Sequence, residues 1–261
     1  MNKLFDIACN FTSKRFDNDL TEVIEMAIKN DVNKFALICS QISDFEKLIN
    51  IYEKYKDLMV FTLGIHPHNA GELNQNNLKI LRKIINDHPP HAIGETGLDF
   101  YRNLSSYEEQ IYAFEEQIKI ALEINKPLFL HQRDSHNDFI KILRKYSSNT
   151  QKKVVHCFTG TQDQLDDYLE LDCYIGVTGW ICDEKRNIEL RKTIKNIPLS
   201  KLMVETDCPY LIPKDLPSKP KDKRNQPLYI NHIVKEIAKL MGVDESALRK
   251  QTYENSLEFF R

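Results

Sequence analysis

No two of the six cysteines of this 261-residue chain stand in CxxC spacing. Cys9, Cys39, Cys157, Cys173, Cys182 and Cys208 are scattered, most of them in or beside apolar runs. A disulfide framework does not fit this length and spacing, and the expectation is reduced core thiols in a cytoplasmic protein. The chain also lacks a basic excess: 36 Lys and Arg against 38 Asp and Glu leave a net charge of -2. No overall field attracts nucleic acid, so a polyanion must be handled by a local patch or a bound metal. No apolar run approaches the length of a membrane span. The opening "MNKLFDIACNFTSKRF" has no long apolar stretch and carries Asp6 early, unlike a secretory signal. No GxGxxG or Walker loop follows the first apolar run, which removes the usual signs of a dinucleotide or P-loop fold. There is no linker and no low-complexity block. With 41% hydrophobic and 28% charged residues the composition is that of a globular chain.

What is present is one period. Short apolar runs recur: "LFDIAC", "KFALICS", "LMVFTLG", "HAIGE", "PLFLH", "KVVHC", "CYIGV" and "KLMVET". Longer segments with helical spacing separate them, such as "LTEVIEMAIKN" and "YEEQIYAFEEQIKIALEI". In the latter Ile111, Phe114, Ile118 and Leu122 mark a buried stripe. Ser43 with Glu46, Ser106 with Glu109 and Thr161 with Gln164 have capping-box spacing. Eight strand–helix alternations predict a parallel sheet, and eight is the number that closes a (β/α)8 TIM barrel, here one domain over residues 1–261. The Pro- and Lys-rich stretch Ile212–Pro227 reads as a long loop after the eighth strand.

The strand ends carry the chemistry. Glu95 ends the fourth run in "HAIGETGLDFYRN", His131 the fifth, and His156 stands near the end of the sixth. Asp207 follows the eighth. In a barrel these ends meet on one rim, where such enzymes place their sites. Two imidazoles and two carboxylates form a mixed nitrogen–oxygen site for a divalent cation. Singly, each has a bland explanation as a turn histidine or a helix cap; four on four strand ends do not. The pair in "GIHPH" is stiffened by Pro67, with His66 expected to face substrate and His68 left open. Arg133 suits a phosphate, because its fork of donors matches phosphate oxygens; its alternative is an ion pair with Asp134. Trp180 either stacks a base or packs its loop down. Lys219, Lys221, Lys223 and Arg224 make a local basic run, either a phosphate-tracking surface or a solvated loop.

Together these residues resemble the TatD family of metal-dependent deoxyribonucleases. "GIHPH", "AIGETGLDFYRN", "LHQRD", "HCFTGT", "ETDCPYL" and "KRNQP" occur in the family's order and cover nearly the whole chain. The resemblance implies a TIM barrel and a magnesium- or manganese-dependent nuclease, with Zn²⁺ also admitted. It implies hydrolysis of single-stranded DNA, or of 3′ ends, from the 3′ side, with RNA a substrate of some members. It puts Glu95, His131, His156 and Asp207 in ligand positions. His66, Arg133 and Glu205 fall near the scissile phosphate, with Glu95, Asp207, His66 and Glu205 catalytic. His68, Trp180 and Arg224 are carried as substrate contacts. Most relatives end strand one in a His-x-His pair; here Ala8 and Asn10 stand there. One tight metal and a second, weaker one near Asp6 and Asp207 are therefore expected. The family's "RNEP" reads Arg224-Asn225-Gln226-Pro227, one charge fewer. A monomer is expected. The same metal rim would equally serve an amide or ester hydrolase, such as an aminoacyl-ester deacylase, and the DNA substrate comes from the resemblance alone. A binding protein with a relic site is the remaining rival, kept open by "DIACN".

Overall fold

The computed structural model describes residues 3–146 and 151–261. Eight parallel strands run in chain order around a barrel: β1 (Leu4–Cys9), β2 (Val32–Leu37), β3 (Met59–Leu63), β4 (Ala92–Asp99), β5 (Leu128–Arg133), β6 (Lys153–Val155), β7 (Tyr174–Val177) and β8 (Leu202–Val204). Helices α1 (Leu20–Lys29), α2 (Phe45–Tyr55), α3 (Gln75–Asp87), α4 (Tyr107–Glu123), α5 (His136–Lys145), α6 (Gln162–Glu170) and α7 (Ile188–Thr193) fill the crossovers. Helices α8 (Ile230–Met241) and α9 (Glu245–Phe259) follow β8. This is the single-domain (β/α)8 barrel that the period predicts. Among the described residues no helix is long and apolar enough to cross a membrane.

The seam between β1 and β8 is narrow. A bridge pairs Cys9 with Cys208, and the Asn10 amide donates to the Cys208 carbonyl at 2.8 Å. Asp6 fastens the same seam: one oxygen accepts the Thr206 amide at 2.9 Å and the other accepts the Thr206 hydroxyl at 2.5 Å. Burial pushes the Asp6 carboxyl up to about 7, against the lowering effect of these bonds. Both Asp6 oxygens are thus engaged in closing the barrel, and Asp6 also offers a ligand atom beside Cys9 and Cys208.

An apolar floor sets up the polar rim. Phe5, Ile7, Ala36, Ala92, Phe129, Val154 and Met203 form one buried cluster, with Phe259 and Phe260 packed on it. Side chains two apart on a strand share a face. His131, His156 and Glu205 therefore stand directly above Phe129, Val154 and Met203. Strand β4 departs from this alternation, with an irregular register against β5 between Ile93 and Thr96. Thr96 meets Gln117 of α4 at 2.7 Å on the outside, and Glu95 turns inward. An irregularity of this kind re-aims a side chain next to a site.

Gly97 lets β4 and β5 approach. Its φ is +146°, and an added Cβ would lie 1.9 Å from the His131 carbonyl oxygen. Gly97→Ala is expected to cost at least about 1–3 kcal/mol, as overpacking does, and to lower the melting temperature by at least ~2–4 °C. It should also slow turnover by moving His131. Unchanged melting and rate would show that the approach is not needed.

Two of the three expected capping boxes form, Ser106 with Glu109 on α4 and Thr161 with Gln164 on α6. Ser43 does not cap α2. It lies inside a 3₁₀ turn, Ile42–Asp44, in which the Asp44 amide donates to the Gln41 carbonyl and the Phe45 amide to the Ile42 carbonyl. On α4, Phe114 and Ile118 are buried as expected, but Ile111 and Leu122 are only half-buried. Two buried glutamines share that face. Gln117 pins the backbone of Ile65 from both sides, at 2.7 and 3.0 Å, and Gln110 accepts the Asp99 amide at 2.8 Å. The Ile212–Pro227 stretch is a loop, tied down by the Arg15 guanidinium on the carbonyls of Pro209 and Lys223.

Candidate metal centre

Three imidazoles surround one carboxylate oxygen. Glu95 Oε1 lies 2.7 Å from His156 Nε2, 3.0 Å from His131 Nδ1 and 3.3 Å from His66 Nε2. His131 Nδ1 and His156 Nε2 are also 3.4 Å from each other. Two N–H groups cannot point at one another across that gap, so lone pairs must face inward as well. A cation satisfies them.

The far side of each ring decides its role. His131 Nε2 faces Asp99 Oδ2 at 3.3 Å, and Asp99 is almost fully buried. His156 Nδ1 faces Glu205 Oε2 at 3.5 Å. Those two atoms are buried without a hydrogen-bond partner, a gap that a small tightening of the site would close. A carboxylate behind an imidazole takes its proton and aims the other nitrogen's lone pair at a metal. His66 is different. Its Nδ1 accepts the backbone amide of His68 at 3.0 Å, so in the neutral ring Nε2 carries the proton. Burial lowers its pKa to about 4, only partly offset by Glu95, and the ring is neutral at pH 7. His66 lies among the potential ligands, yet it is built as a donor.

The electrostatics follow from this crowding. Burial alone would raise the Glu95 pKa; His156 and His66, with the bonds from His131 and His156, hold it well below the carboxylate range. Burial would lower the His156 pKa, and Glu95 and Glu205 outweigh it and push it well up. The pocket demands positive charge, which protons or a metal supply.

Asp207, after β8, has a φ of +55°. Its Oδ1 accepts Asn10 Nδ2 at 2.9 Å. Burial raises its carboxyl to about 7; His156 works against this and Glu95 and Glu205 with it, so it belongs to the same charge cluster. Asn10, at the place of an expected imidazole, is thus a prop for Asp207. Ala8 is buried in the floor cluster.

A family model described as TatD related DNase matches residues 5–261. The chain belongs to the TatD family. A 3′-5′ ssDNA/RNA exonuclease TatD of Edwardsiella piscicida is 39% identical over 258 residues, 99% of either chain. The protein of that name from Pectobacterium atrosepticum is 41% identical over 258 residues, again 99% of either chain. A solved hydrolase TatD family protein from Entamoeba histolytica superposes with a TM-score of 0.88 at 29% identity, covering 98% of this chain and 97% of that one. The family is metal-dependent, and here His66, Glu95 and His131 offer ligand atoms within 4.8 Å of one another.

The remaining expected contacts are placed unevenly. Arg133 is exposed at the end of β5, its guanidinium 3.9 Å from the centre of the Tyr101 ring. Among the described residues it forms no ion pair with Asp134. His68 is held by Asp99, Nε2 to Oδ2 at 2.7 Å. Glu205 is fully buried; its Oε1 accepts the Cys157 amide at 2.5 Å, so it stands behind His156 and not at a phosphate. Trp180 is half-buried against the core, and its loop is packed down. Arg224 is not a substrate-facing cation. It is buried, paired with Asp19 through two nitrogens and with Asp222 at 3.1 Å, because a guanidinium taken out of water needs carboxylates around it. Lys219, Lys221 and Lys223 are exposed. Asp99, behind His131 and His68, is a further site residue beyond those the strand ends predict. Its signal was available: Glu95, Gly97 and Asp99 alternate, and so share a face.

Proposed function

We propose that this chain is a metal-dependent phosphodiester hydrolase that removes nucleotides from the 3′ end of single-stranded DNA and RNA. The observation that carries the proposal is the pair of carboxylate-backed histidines, His131 on Asp99 and His156 on Glu205, aimed at Glu95. The relatives named as 3′-5′ ssDNA/RNA exonucleases support the choice of substrate. Glu95, His131, His156 and Asp207 would hold a divalent cation, Mg²⁺ or Mn²⁺ in keeping with oxygen ligands, with Zn²⁺ accepted by the two imidazoles. Such a cation supplies Lewis acidity and an activated water.

The chain's own groups do the rest. His66 Nε2–H donates to a phosphoryl oxygen, and the backbone bond at Nδ1 keeps that proton in place. Arg133 offers its fork to the same phosphate, its plane held flat by Tyr101. Asp207, a carboxylate at the edge of the same cluster, takes the proton of the attacking water. With Ala8 and Asn10 supplying no imidazole and Asp6 spent on the seam, one ion is held tightly and a second only weakly. The protein works as a cytoplasmic monomer.

The test is 5′-labelled single-stranded DNA incubated with Mg²⁺, with and without EDTA, beside a small carboxylic ester. A ladder shortening from the 3′ end, abolished by EDTA and restored by Mn²⁺, is expected. Ester hydrolysis without cleavage of DNA would overturn the reading in favour of an amide or ester hydrolase.

A further inference from the structure

Gln132 and Arg133, the two residues that follow His131 on β5, line a cleft of about 680 Å³, the size of a small-molecule site. One wall is the segment after β4. Phe100 follows Asp99, and its amide donates to the Arg133 carbonyl at 3.0 Å, so Tyr101 and Arg133 stand side by side on neighbouring strand ends. Tyr101 is 60% exposed, although a large aromatic is ordinarily drawn inward. Its ring and the Arg133 guanidinium already form a stack, 3.9 Å apart. Gln132, Asn137 and Asn187 bring amides to the lining.

The charge of the cleft discriminates between occupants. Arg133 and Arg186 are offset by Asp134 and Asp138. A site for a further phosphate would carry a cationic excess; this one carries flat stacking surfaces and groups that both donate and accept. Single-strand binders stack bases on aromatic side chains, with a cation–π contribution from arginine, because every base has a stacking face. We propose that the cleft receives a base of the substrate strand next to the scissile phosphate, stacked on the Tyr101–Arg133 pair. Tyr101 is then a substrate-binding residue. This rests on the nuclease reading above and extends it: Arg133 faces the phosphate with its edge and the base with its plane.

The test uses a single-stranded oligonucleotide with phosphorothioate links at its 3′ end, so that it survives, and 2-aminopurine at the terminal or the penultimate position. The wild-type protein should quench the fluorescence at one of these positions. Tyr101→Phe should keep the quench, and Tyr101→Ala should lose it. On unmodified DNA, Tyr101→Ala should raise KM on the order of tenfold, in the range of base–aromatic stacking, with kcat nearly unchanged. An abasic site at the same position should raise the wild-type KM similarly and add little to Tyr101→Ala. A wild type that cleaves DNA, beside a Tyr101→Ala protein with unchanged KM and quench, would overturn the cleft assignment and leave the nuclease reading standing. A wild type that neither cleaves nor quenches would overturn both.

Discussion

Glu95→Gln is expected to remove nearly all turnover, by at least ~10²–10³-fold, while leaving the barrel folded. The magnitude follows from several kcal/mol of charge stabilisation at a metal site, at about 1.4 kcal/mol per tenfold. The substitution keeps the shape of the side chain but takes away the negative charge on which His66, His131 and His156 converge. A neutral amide leaves the two ligand imidazoles without the carboxylate that completes the site. The apolar floor below, from Phe129 to Met203, is untouched, so circular dichroism and melting should stay close to the wild type. A Glu95→Gln protein with the wild-type rate on single-stranded DNA would mean that the chemistry lies elsewhere.

Asp99→Asn should reduce activity by roughly 10–100-fold, the usual cost of losing the carboxylate behind a ligand imidazole. Asp99 touches no substrate in this account. Its Oδ2 takes His131 Nε2 at 3.3 Å and His68 Nε2 at 2.7 Å. An asparagine in its place can turn its amide N–H towards His131. The proton of that ring then moves to Nδ1, which faces Glu95, and the lone pair meant for the cation is lost. The expected signature is a weakened metal requirement curve: activity recovers in part as Mn²⁺ is raised. Asp99→Ala should recover less, because the two half-buried rings lose their partner outright. If Asp99→Asn matches the wild type at every Mn²⁺ concentration, His131 is not oriented from behind.

Much of this was legible in the sequence, for physical reasons that can be named. The alternation of short apolar runs with helical segments is a direct record of the barrel, since each strand must bury both faces. The strand-end positions of Glu95, His131 and His156 followed from that alternation. What the sequence hid were partners distant along the chain. Nothing near Arg224 shows that Asp19, some 200 residues earlier, will claim it. The local pattern at Ser43 and Glu46 fits a capping box, but a 3₁₀ turn spans Ile42–Asp44, and α2 begins only at Phe45, so Ser43 falls inside the turn and not at the helix cap. Glu205 looks like a rim acid until parity places it above Met203 and behind His156. The inward turn of Glu95 depends on an irregular β4 register that no alternation rule predicts. Tyr101 reads as an ordinary loop aromatic until the Asp99–Arg133 pairing brings it over a guanidinium.

The position of the cation tests the account most directly. Crystals soaked in Mn²⁺ at a concentration that saturates activity, measured for anomalous scattering, should show one strong peak between Glu95, His131 and His156, within reach of Asp207. A second peak near Asp207 should be weak or missing without substrate. Two equally strong peaks would contradict the reading of Ala8 and Asn10 as a lost cage. A peak only at another potential ligand group, such as Cys182, Asp215 and His232, would contradict the metal centre itself.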